Sequence, residues 1–434
     1  MKEQKDIISR WSPVRRFFAP LIARIPSMFW PATKAKALIA EGKTDEALQV
    51  LTAYPENSRA MALLSILRER ENAQKFEEEQ FLASSTSPLP PRIKGGASTY
   101  YVEVLSECNL RCPLCAFGSR DTFERKPGKM ELEYFIKILD KIKTENPHAV
   151  VSPYHHCEPL LHPQLPEMIK EIKKRGFICA VSSNFNNISR LEDVITSGLD
   201  SLEISVSGFY QETYAKSHVG GDIEKVKKNM EILKSIIDSK KSHIHIMIIY
   251  HMYKDNLDED FDNMKSFTES LGFEFFPCWS RSINLELSLK YLRDNNYSKY
   301  ISKDRNWLDE NIHLTEAYRN AMERIVYLPQ DYINESLNGK IKSCPINGRL
   351  INIKWNGRIN LCSWAFDDRL VCGEYISVPT ETLYEERKKN NICKECIKNN
   401  FDLYCSYFGM SDIDRRALER LDKKYHGSRG FSGK

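Results

Sequence analysis

Three cysteines lie within the eight-residue segment CNLRCPLC, at Cys108, Cys112 and Cys115. A structural zinc ion prefers four tetrahedral ligands, so three thiolates in one loop would leave one of its positions open. A [4Fe–4S] cluster has four irons, and three cysteines would hold three of them. The fourth iron would then stay free for a small chelating ligand, such as the amino and carboxylate groups of an amino acid. The spacing therefore favours an iron–sulfur cluster with one open iron.

A second group of cysteines lies near the C-terminus, at Cys344, Cys362, Cys393 and Cys396. Four thiolates suffice for one further cluster, and a structural zinc ion would accept the same four ligands. Two cysteines close by in the sequence, Cys372 and Cys405, remain, and a further cluster would need both of them together with ligands other than cysteine. The sequence does not distinguish zinc from iron in this region.

The central part of the chain alternates between predicted strands and helices. Strands are predicted at 99–105, 149–154, 177–183, 201–207, 243–250 and 273–279. Helices are predicted at 131–143, 165–176, 188–198, 223–237 and 257–272. This alternation is typical of parallel βαβ units and predicts an α/β fold with a partial (β/α)6 barrel. Since barrel chemistry lies at the carboxyl ends of the strands, Cys108 is expected at the mouth, in the loop after the first strand.

The regions on either side of the barrel have other patterns. Residues 33–78 resemble one helical hairpin of the tetratricopeptide type, and since a lone repeat cannot bury its own face, it is expected to dock on the main domain or on a partner. Residues 351–362 predict a hairpin around Asn356-Gly357, with a type I′ turn that has positive φ at both central residues. The predicted division is a helical N-terminal region 1–83, a linker 84–97, a barrel 98–282, a helical bridge 283–340, a cluster domain 341–410 and a basic tail 411–434.

Composition indicates the class of protein and its compartment. Twelve cysteines in 434 residues do not suggest a small secreted disulfide scaffold. The apolar segment 13–30 is interrupted by Arg15, Arg16 and Arg24, which argues against a signal peptide or a spanning helix. It predicts a basic amphipathic segment that packs on the body or contacts a membrane surface. Clustered cysteines and the lack of a signal-peptide pattern predict a protein of the reducing cytoplasm. The net charge of +4 is spread along the chain, so no nucleic-acid partner is expected.

The segment from Cys108 to Cys115 resembles the C-x3-C-x-Φ-C motif of the radical SAM superfamily, with Leu114 at the position Φ. The resemblance extends from about residue 98 to residue 405. It implies a [4Fe–4S] cluster on Cys108, Cys112 and Cys115, whose free iron binds the methionyl part of S-adenosylmethionine (SAM). It further implies reductive cleavage of SAM to a 5′-deoxyadenosyl radical, which takes a hydrogen atom from the substrate. A one-electron donor such as flavodoxin or ferredoxin is the implied partner.

Other segments resemble further motifs of this family. The segment from His156 to Pro159 stands where the family often has GGEP, which binds the methionyl amino group largely through its backbone, and 182–184 stand where polar residues contact the ribose and the carboxylate. Residues 205–221 resemble an SVDG-x-x-Q-E-x-Y segment, with Ser207 in place of Asp. The resemblance thus implies these SAM-binding residues: Leu114, Phe117, Cys157, Glu158, Pro159, Ser182, Ser183, Asn184, Ser205 and Ser207. For the two serines at 205 and 207, capping of the strand end is the alternative.

The C-terminal cysteines resemble the SPASM and shorter twitch domains, because twelve residues separate Cys344 from Gly357 and four separate Gly357 from Cys362, as in the family's pattern. This resemblance implies an auxiliary [4Fe–4S] cluster on Cys344, Cys362, Cys393 and Cys396. The full SPASM pattern continues with further cysteines, of which only Cys405 follows here.

Three residues are candidates for catalysis. Cys278, near the end of the sixth strand, is a possible hydrogen donor to a substrate radical. The alternative, for Cys278 as for Cys179, is a buried free cysteine that acts as a small hydrophobic residue. His156 is a candidate substrate or cofactor contact, and capping of the strand is the alternative. Arg281 is suited to a substrate carboxylate or phosphate, with a surface salt bridge as the alternative.

The resemblance leaves the substrate open. A peptide or protein side chain or backbone is the first hypothesis, because the helical N-terminal region suits such a partner. A sugar or aminocyclitol that is dehydrogenated, epimerised or dehydrated is the alternative, since the short cluster domain resembles the twitch type. A hypothesis of another class is a non-catalytic metal-binding scaffold, which would not cleave SAM.

Overall fold

The computed structural model describes residues 99–295, 312–336 and 350–398, the segments 44–52, 401–406 and 416–421, and positions 35, 38, 297, 344, 346, 347 and 413. The chain forms two compact units, residues 1–76 with 414–418, and residues 77–413 with 419–434. In the first unit, helix α1 (Thr44–Thr52) buries Ala47 and Leu51 against Ala35. The remainder of the predicted hairpin, the amphipathic segment 13–30 and the linker 84–97 lie outside the described residues, so those predictions remain untested.

The second unit is built on one nine-stranded sheet in the order β6-β5-β4-β3-β2-β1-β7-β8-β9. Its strands are β1 (Thr99–Val102), β2 (Val150–Ser152), β3 (Ile178–Ser183), β4 (Ser201–Val206), β5 (His245–Met252), β6 (Glu274–Trp279), β7 (Leu350–Ile353), β8 (Arg358–Asn360) and β9 (Val371–Glu374). Strands β1 to β6 pair in parallel with their neighbours, which confirms the predicted α/β fold with a partial (β/α)6 barrel.

The helices of the second unit lie between and after these strands. They are α2 (Leu132–Glu145), α3 (Leu165–Lys174), α4 (Leu191–Thr196), α5 (Gln211–Ala215), α6 (Ile223–Lys240), α7 (Glu259–Ser270), α8 (Leu285–Asp294), α9 (Glu316–Arg324), α10 (Pro329–Ser336), α11 (Thr380–Lys389), α12 (Asn391–Lys398) and α13 (Phe401–Ser406). Among the described residues, no helix is long and apolar enough to cross a membrane.

The two faces of the barrel strands differ in burial. One face is fully buried and apolar, as at Leu202 and Ile204 on β4. The other face is only half-buried, and the strand register aligns its polar side chains, with Ser182 beside Glu203 and His251 beside Cys278. Since alternate residues of a strand point to opposite faces, the polar set lies on the inner face of the partial barrel.

The predicted C-terminal hairpin extends the barrel sheet. Strand β7 pairs in parallel with β1, and Thr99 lies opposite Leu350. β1 ends at Val102, three residues before the predicted end, and the N–H of Glu103 donates to the carbonyl of Ile353 at 2.8 Å. The barrel and the predicted cluster region therefore share one sheet within one compact unit.

The hairpin turn corrects the predicted type I′ geometry. Positive φ occurs at Gly357 (+79°) and not at Asn356, and the N–H of Gly357 donates to the carbonyl of Lys354 at 2.8 Å. This is a three-residue loop with a left-handed glycine at its end, which places the required positive φ on one residue. Asn356 therefore avoids the cost of the left-handed conformation.

Gly357 is also constrained by a neighbouring helix, because a Cβ there would overlap the phenol group of Tyr134 on α2. We expect Gly357→Ala to destabilise the protein by more than the roughly 1–2 kcal/mol that the left-handed conformation costs a residue with a Cβ. In a Tyr134→Ala background the overlap is absent, so the same substitution should cost about that amount alone. Urea unfolding of the four proteins of this cycle measures the coupling, expected at about 0.5–3 kcal/mol. Equal losses in both backgrounds would show that Tyr134 does not exclude a side chain at this turn.

Candidate functional site

The loop of Cys108, Cys112 and Cys115 is folded by its own backbone. The N–H of Cys115 donates to the carbonyl of Cys112 and the N–H of Gly118 to that of Cys115, both at 3.0 Å. A Cβ at Gly118 would overlap the carbonyl oxygen of Cys112, so this close turn requires glycine. The N–H of Arg111 donates to the carbonyl of Val219 at 2.9 Å, which ties the loop to the segment after α5.

The three thiols lie in a desolvated environment. Burial raises the pKa of Cys108 to about 12, and burial, followed by the charges of the other two cysteines, raises that of Cys112 well above its usual range. Burial also raises the pKa of Cys115. Three thiolates would be stable here only beside a compensating positive charge, which a bound metal group provides.

Glu158 connects the segment after β2 to the end of β3. Its Oε1 accepts from the hydroxyl of Ser183 at 2.7 Å and from the N–H of Leu160 at 3.2 Å, and its Oε2 accepts from the N–H of Asn184 at 2.8 Å. Burial raises its pKa to about 7 against these bonds. The side chains of Glu158 and Ser183 thus form hydrogen bonds within the protein. Their contact with SAM remains a prediction.

Asn184 reaches from β3 to the cysteine loop. Its Nδ2 donates to Oδ1 of Asn109 at 2.9 Å and lies 3.7 Å from Sγ of Cys108. The next residue, Phe185, is buried with φ of +56°, and Nδ2 of Asn229 donates to its carbonyl at 2.8 Å. A left-handed bulky residue is rare and persists only where surrounding contacts fix it. The third strand's end is therefore held rigidly beside the thiols.

Two imidazoles, those of His218 and His251, lie near the carboxyl ends of β4 to β6. Nδ1 of His218 lies 2.8 Å from the hydroxyl of buried Ser207, and the His218 and His251 rings are 6.3 Å apart. Nδ1 of His251 lies 3.6 Å from Sγ of Cys278. Burial lowers the pKa of His218 to about 3 and that of His251 to about 4, so both rings are neutral at physiological pH. Ser205 lies half-buried on the inner face of β4.

Arg125 and Phe366 join the barrel mouth to the segment that follows Cys362. Arg125 forms a buried ion pair with Glu103, donates to the carbonyl of Phe366 at 3.2 Å, and stacks on that ring at 3.9 Å. The Phe366 ring contacts Phe117 of the cysteine loop at 5.4 Å and His156 at 5.3 Å between centroids. The two thiol regions are therefore in direct structural contact.

The remaining predicted residues lie close to this junction. Leu114, Phe117 and Pro159 are buried, and Cys157 is half-buried. His156 is buried, with Nε2 lacking a hydrogen-bond partner among the described atoms. Arg281 stacks on Trp364 at 4.8 Å, two residues past Cys362. These residues lie in the segments that follow β1, β2 and β6.

The second group of thiols surrounds a cavity of about 60 Å³, several times the space that one water needs. It is lined by Cys344, Cys362, Cys393, Cys396 and Cys405, with apolar side chains between them. Cys372 on β9 is absent from the described lining of this cavity.

The chemistry of both thiol sets suits iron–sulfur clusters. Among the residues with described coordinates, no three Cys, His, Asp or Glu side chains are arranged as the ligands of one metal ion. A tetrahedral zinc ion would bring its sulfur ligands within about 3.8 Å of one another. A cluster holds its thiolates farther apart because iron and sulfide ions lie between them. Cysteine thiolates are the usual ligands of iron–sulfur clusters, so the donor set fits such a group.

Several residues at this junction escaped the sequence analysis. Arg125 and Phe366 lie in segments without a recognisable motif, and Gly118 shows no turn signal. Glu103 could have indicated a buried partner in advance, because a carboxylate within an otherwise apolar strand must be paired when it is buried.

Comparison with known proteins agrees with this geometry. The sequence profile of the Radical SAM superfamily matches residues 102–266. The tungsten-containing aldehyde ferredoxin oxidoreductase cofactor-modifying protein of Pyrococcus furiosus is 28% identical over 161 residues, which cover 36% of this chain and 44% of that protein. The probable GTP 3′,8-cyclase of Methanococcus maripaludis is 31% identical over 139 residues, covering 31% of this chain and 44% of the relative. The chain thus spans less than half the length of these relatives.

Solved structures of low identity also align with the chain. The structure of anSMEcpe with bound AdoMet is 16% identical, with a TM-score of 0.43 over 75% of this chain and 99% of that one. Streptococcus suis SuiB bound to precursor peptide SuiA is 11% identical, with a TM-score of 0.44 over 77% of this chain and 71% of that one. The sequence profile, the parallel barrel and the position of the three thiols together show that this chain carries a radical SAM domain, matched over residues 102–266.

Proposed function

We propose that the chain is a radical SAM enzyme with one auxiliary iron–sulfur cluster. The observation that carries the proposal is the position of Cys108, Cys112 and Cys115 in a loop that opens the barrel mouth and touches the second thiol region through Phe366. These three thiols would hold the SAM-binding [4Fe–4S] cluster. When bound, the reduced cluster and SAM together supply a carbon-centred radical that removes a hydrogen atom from the substrate.

The chain's own residues would position and shield this chemistry. Gly118 lets the loop close on Cys112, and Glu158 fixes the end of β3 beside the loop. The backbone of 156–159 and the β3 end are the proposed contacts of SAM. Phe366 and Phe117 pack over one side of the loop, which would exclude water from the thiols.

Cys278 and His251 are proposed to face the substrate from the inner side of the barrel. Their contact of 3.6 Å gives the thiol a neutral imidazole neighbour. Arg281 and His156, on the side toward the cluster region, are proposed as further substrate contacts.

We place a peptide or protein first as the substrate class, because the predicted helical region 33–78 suits a polypeptide partner. A small hydroxylated molecule such as a sugar or aminocyclitol is the second candidate. One specific feature favours it: on the half-buried inner face the hydroxyl of Tyr154 lies 3.5 Å from a carboxylate oxygen of Glu203. Such a pair suits hydroxyl groups. The relatives act, by their names, on a nucleotide and on an enzyme cofactor.

The test uses anaerobically reconstituted protein reduced with dithionite and supplied with SAM. We expect 5′-deoxyadenosine by liquid chromatography, and its absence from cluster-loaded protein would refute the enzyme and favour the scaffold hypothesis. An extract of the source cells should then raise the rate. Stimulation that protease treatment destroys supports a peptide or protein substrate, whereas protease-resistant stimulation that passes an ultrafilter supports a small molecule.

A further inference from the structure

A buried arginine lines the auxiliary cavity together with the five thiols. Arg387 lies on α11, is 5% exposed and is part of the cavity lining. Its Nε donates to the carbonyl of Leu361 at 2.8 Å, and its Nη1 donates to the carbonyl of Leu350 at 3.3 Å. Its Nη2 is buried and has no hydrogen-bond partner among the described atoms. One donor group of this guanidinium is therefore left without an acceptor at the cavity.

The positive charge of Arg387 also lacks a counter-ion among the described residues. Both acceptors that it contacts are neutral backbone carbonyls. Asp402 also lines the cavity and is 4% exposed, but it accepts no hydrogen bond from Nη2. A buried cation is costly unless an anion neutralises it and satisfies its donors. Within the described part of the chain, the cavity wall therefore presents a charge and a donor that require an anionic group.

An iron–sulfur cluster in this cavity would supply that group. Four thiolate ligands give a [4Fe–4S] cluster a net negative charge, and its sulfur atoms accept hydrogen bonds. The five thiols and Arg387 line one cavity, so Arg387 borders the cluster whichever four thiols ligate it. Reduction adds a further negative charge to the cluster. A neighbouring cation therefore stabilises the reduced form more than the oxidised form.

We propose that Arg387 donates through Nη2 to the auxiliary cluster and raises its reduction potential, as a positioning residue that is not itself a ligand. This inference rests on the auxiliary cluster of the proposed function. The neighbouring Lys388 provides the contrast, because it also borders the cavity but pairs with Glu385 at 2.7 Å and has a side chain that is 51% exposed. Solvent screens a charge in such a position.

The experiment isolates the auxiliary site in the full chain by working in a Cys108→Ala/Cys112→Ala/Cys115→Ala background. After anaerobic reconstitution with iron and sulfide, about four irons per chain are expected. A redox titration followed by electron paramagnetic resonance then measures the reduction potential. Arg387→Met should lower the ratio of reduced to oxidised cluster at least tenfold at a given potential, a shift of about 59 mV for one electron. Lys388→Met removes the same charge from the next residue and should leave the potential unchanged.

Two further variants separate this role from a purely structural one, since Arg387 also joins the carbonyls of Leu350 and Leu361. Arg387→Lys keeps the charge and should recover part of the shift. Arg387→Gln keeps an amide donor without the charge and should show a lowered potential, as Arg387→Met does. Iron analysis and urea unfolding of the cluster-free proteins accompany each titration.

The outcomes distinguish the proposal from the proposed function. Iron-loaded Arg387→Met or Arg387→Gln with the potential of the background would overturn the role of Arg387 and leave the auxiliary cluster standing. Loss of iron from both variants supports the role if the cluster-free proteins unfold in urea like the background. The same loss with a less stable cluster-free fold would make Arg387 a structural residue and overturn the proposal. A background that binds no iron would refute the auxiliary cluster itself, whereas SAM cleavage by the wild-type chain reports separately on the barrel site.

Discussion

Replacing Cys108, Cys112 and Cys115 together by alanine is expected to abolish the formation of 5′-deoxyadenosine and to remove about four of roughly eight irons per chain. The three thiols lie in one loop at the barrel mouth, tied down by backbone bonds that the substitutions leave in place. Because these side chains belong to a loop and not to a strand or helix, circular dichroism should show a folded barrel. Iron analysis and chromatography of reduced, SAM-treated protein measure the two effects.

Cys372→Ala is the matched control, because this thiol lies on β9 outside the described lining of the auxiliary cavity. It should keep both its iron and its SAM cleavage. If the triple variant still cleaves SAM, the assignment of the barrel thiols is refuted. If it unfolds, the loop is a structural core and the proposed division between loop and barrel is wrong.

Replacing Arg125 by Met should lower the free energy of unfolding by about 3–5 kcal/mol, the usual loss when one partner of a buried ion pair is removed. The side chains of Arg125 and Glu103 are 5% and 2% exposed. Arg125 also donates to Ser106 Oγ at 2.9 Å and to the carbonyl of Phe366. Removing the guanidinium leaves a buried carboxylate and these acceptors without their donor. Urea unfolding of wild type and variant measures the loss.

The matched control is the double variant Arg125→Met/Glu103→Leu, which removes both charges and should recover much of the loss. The pH dependence provides a second check. Burial raises the pKa of Glu103 above its ordinary 4.5 in the wild type, against the attraction of Arg125 and Lys354. Without Arg125 that folded-state pKa rises further, so the folded state binds the proton more tightly than the unfolded chain. The variant should therefore be least impaired at acid pH, and its deficit relative to wild type should grow as the pH rises through the raised folded-state pKa of Glu103. A deficit that is constant with pH would show that Glu103 is not the affected group.

The sequence by itself determined the elements of the barrel and the first thiol site. Periods of 2 and 3.6 residues are local patterns, and the six strands and the five predicted helices between them alternate from Thr99 to Trp279 nearly as these periods predict. The first thiol site could be predicted from the spacing of Cys108, Cys112 and Cys115 and from their position after a predicted strand. The hairpin at Gly357 was also readable, since glycine marks positive φ. The predicted type I′ turn was wrong, because the sequence pattern alone does not say how many turn residues have a positive φ.

Only the tertiary structure decided how the two thiol regions meet. Arg125 and Phe366 are 241 residues apart in the chain, and no local pattern relates them. The pairing of β7 with β1 depends on an open sheet edge, which exists only once the barrel has formed. Cys405 likewise joins the auxiliary cavity because α13 packs beside α12. Spacing along the chain counts residues, whereas the membership of a metal site depends on which helices and strands come together around it.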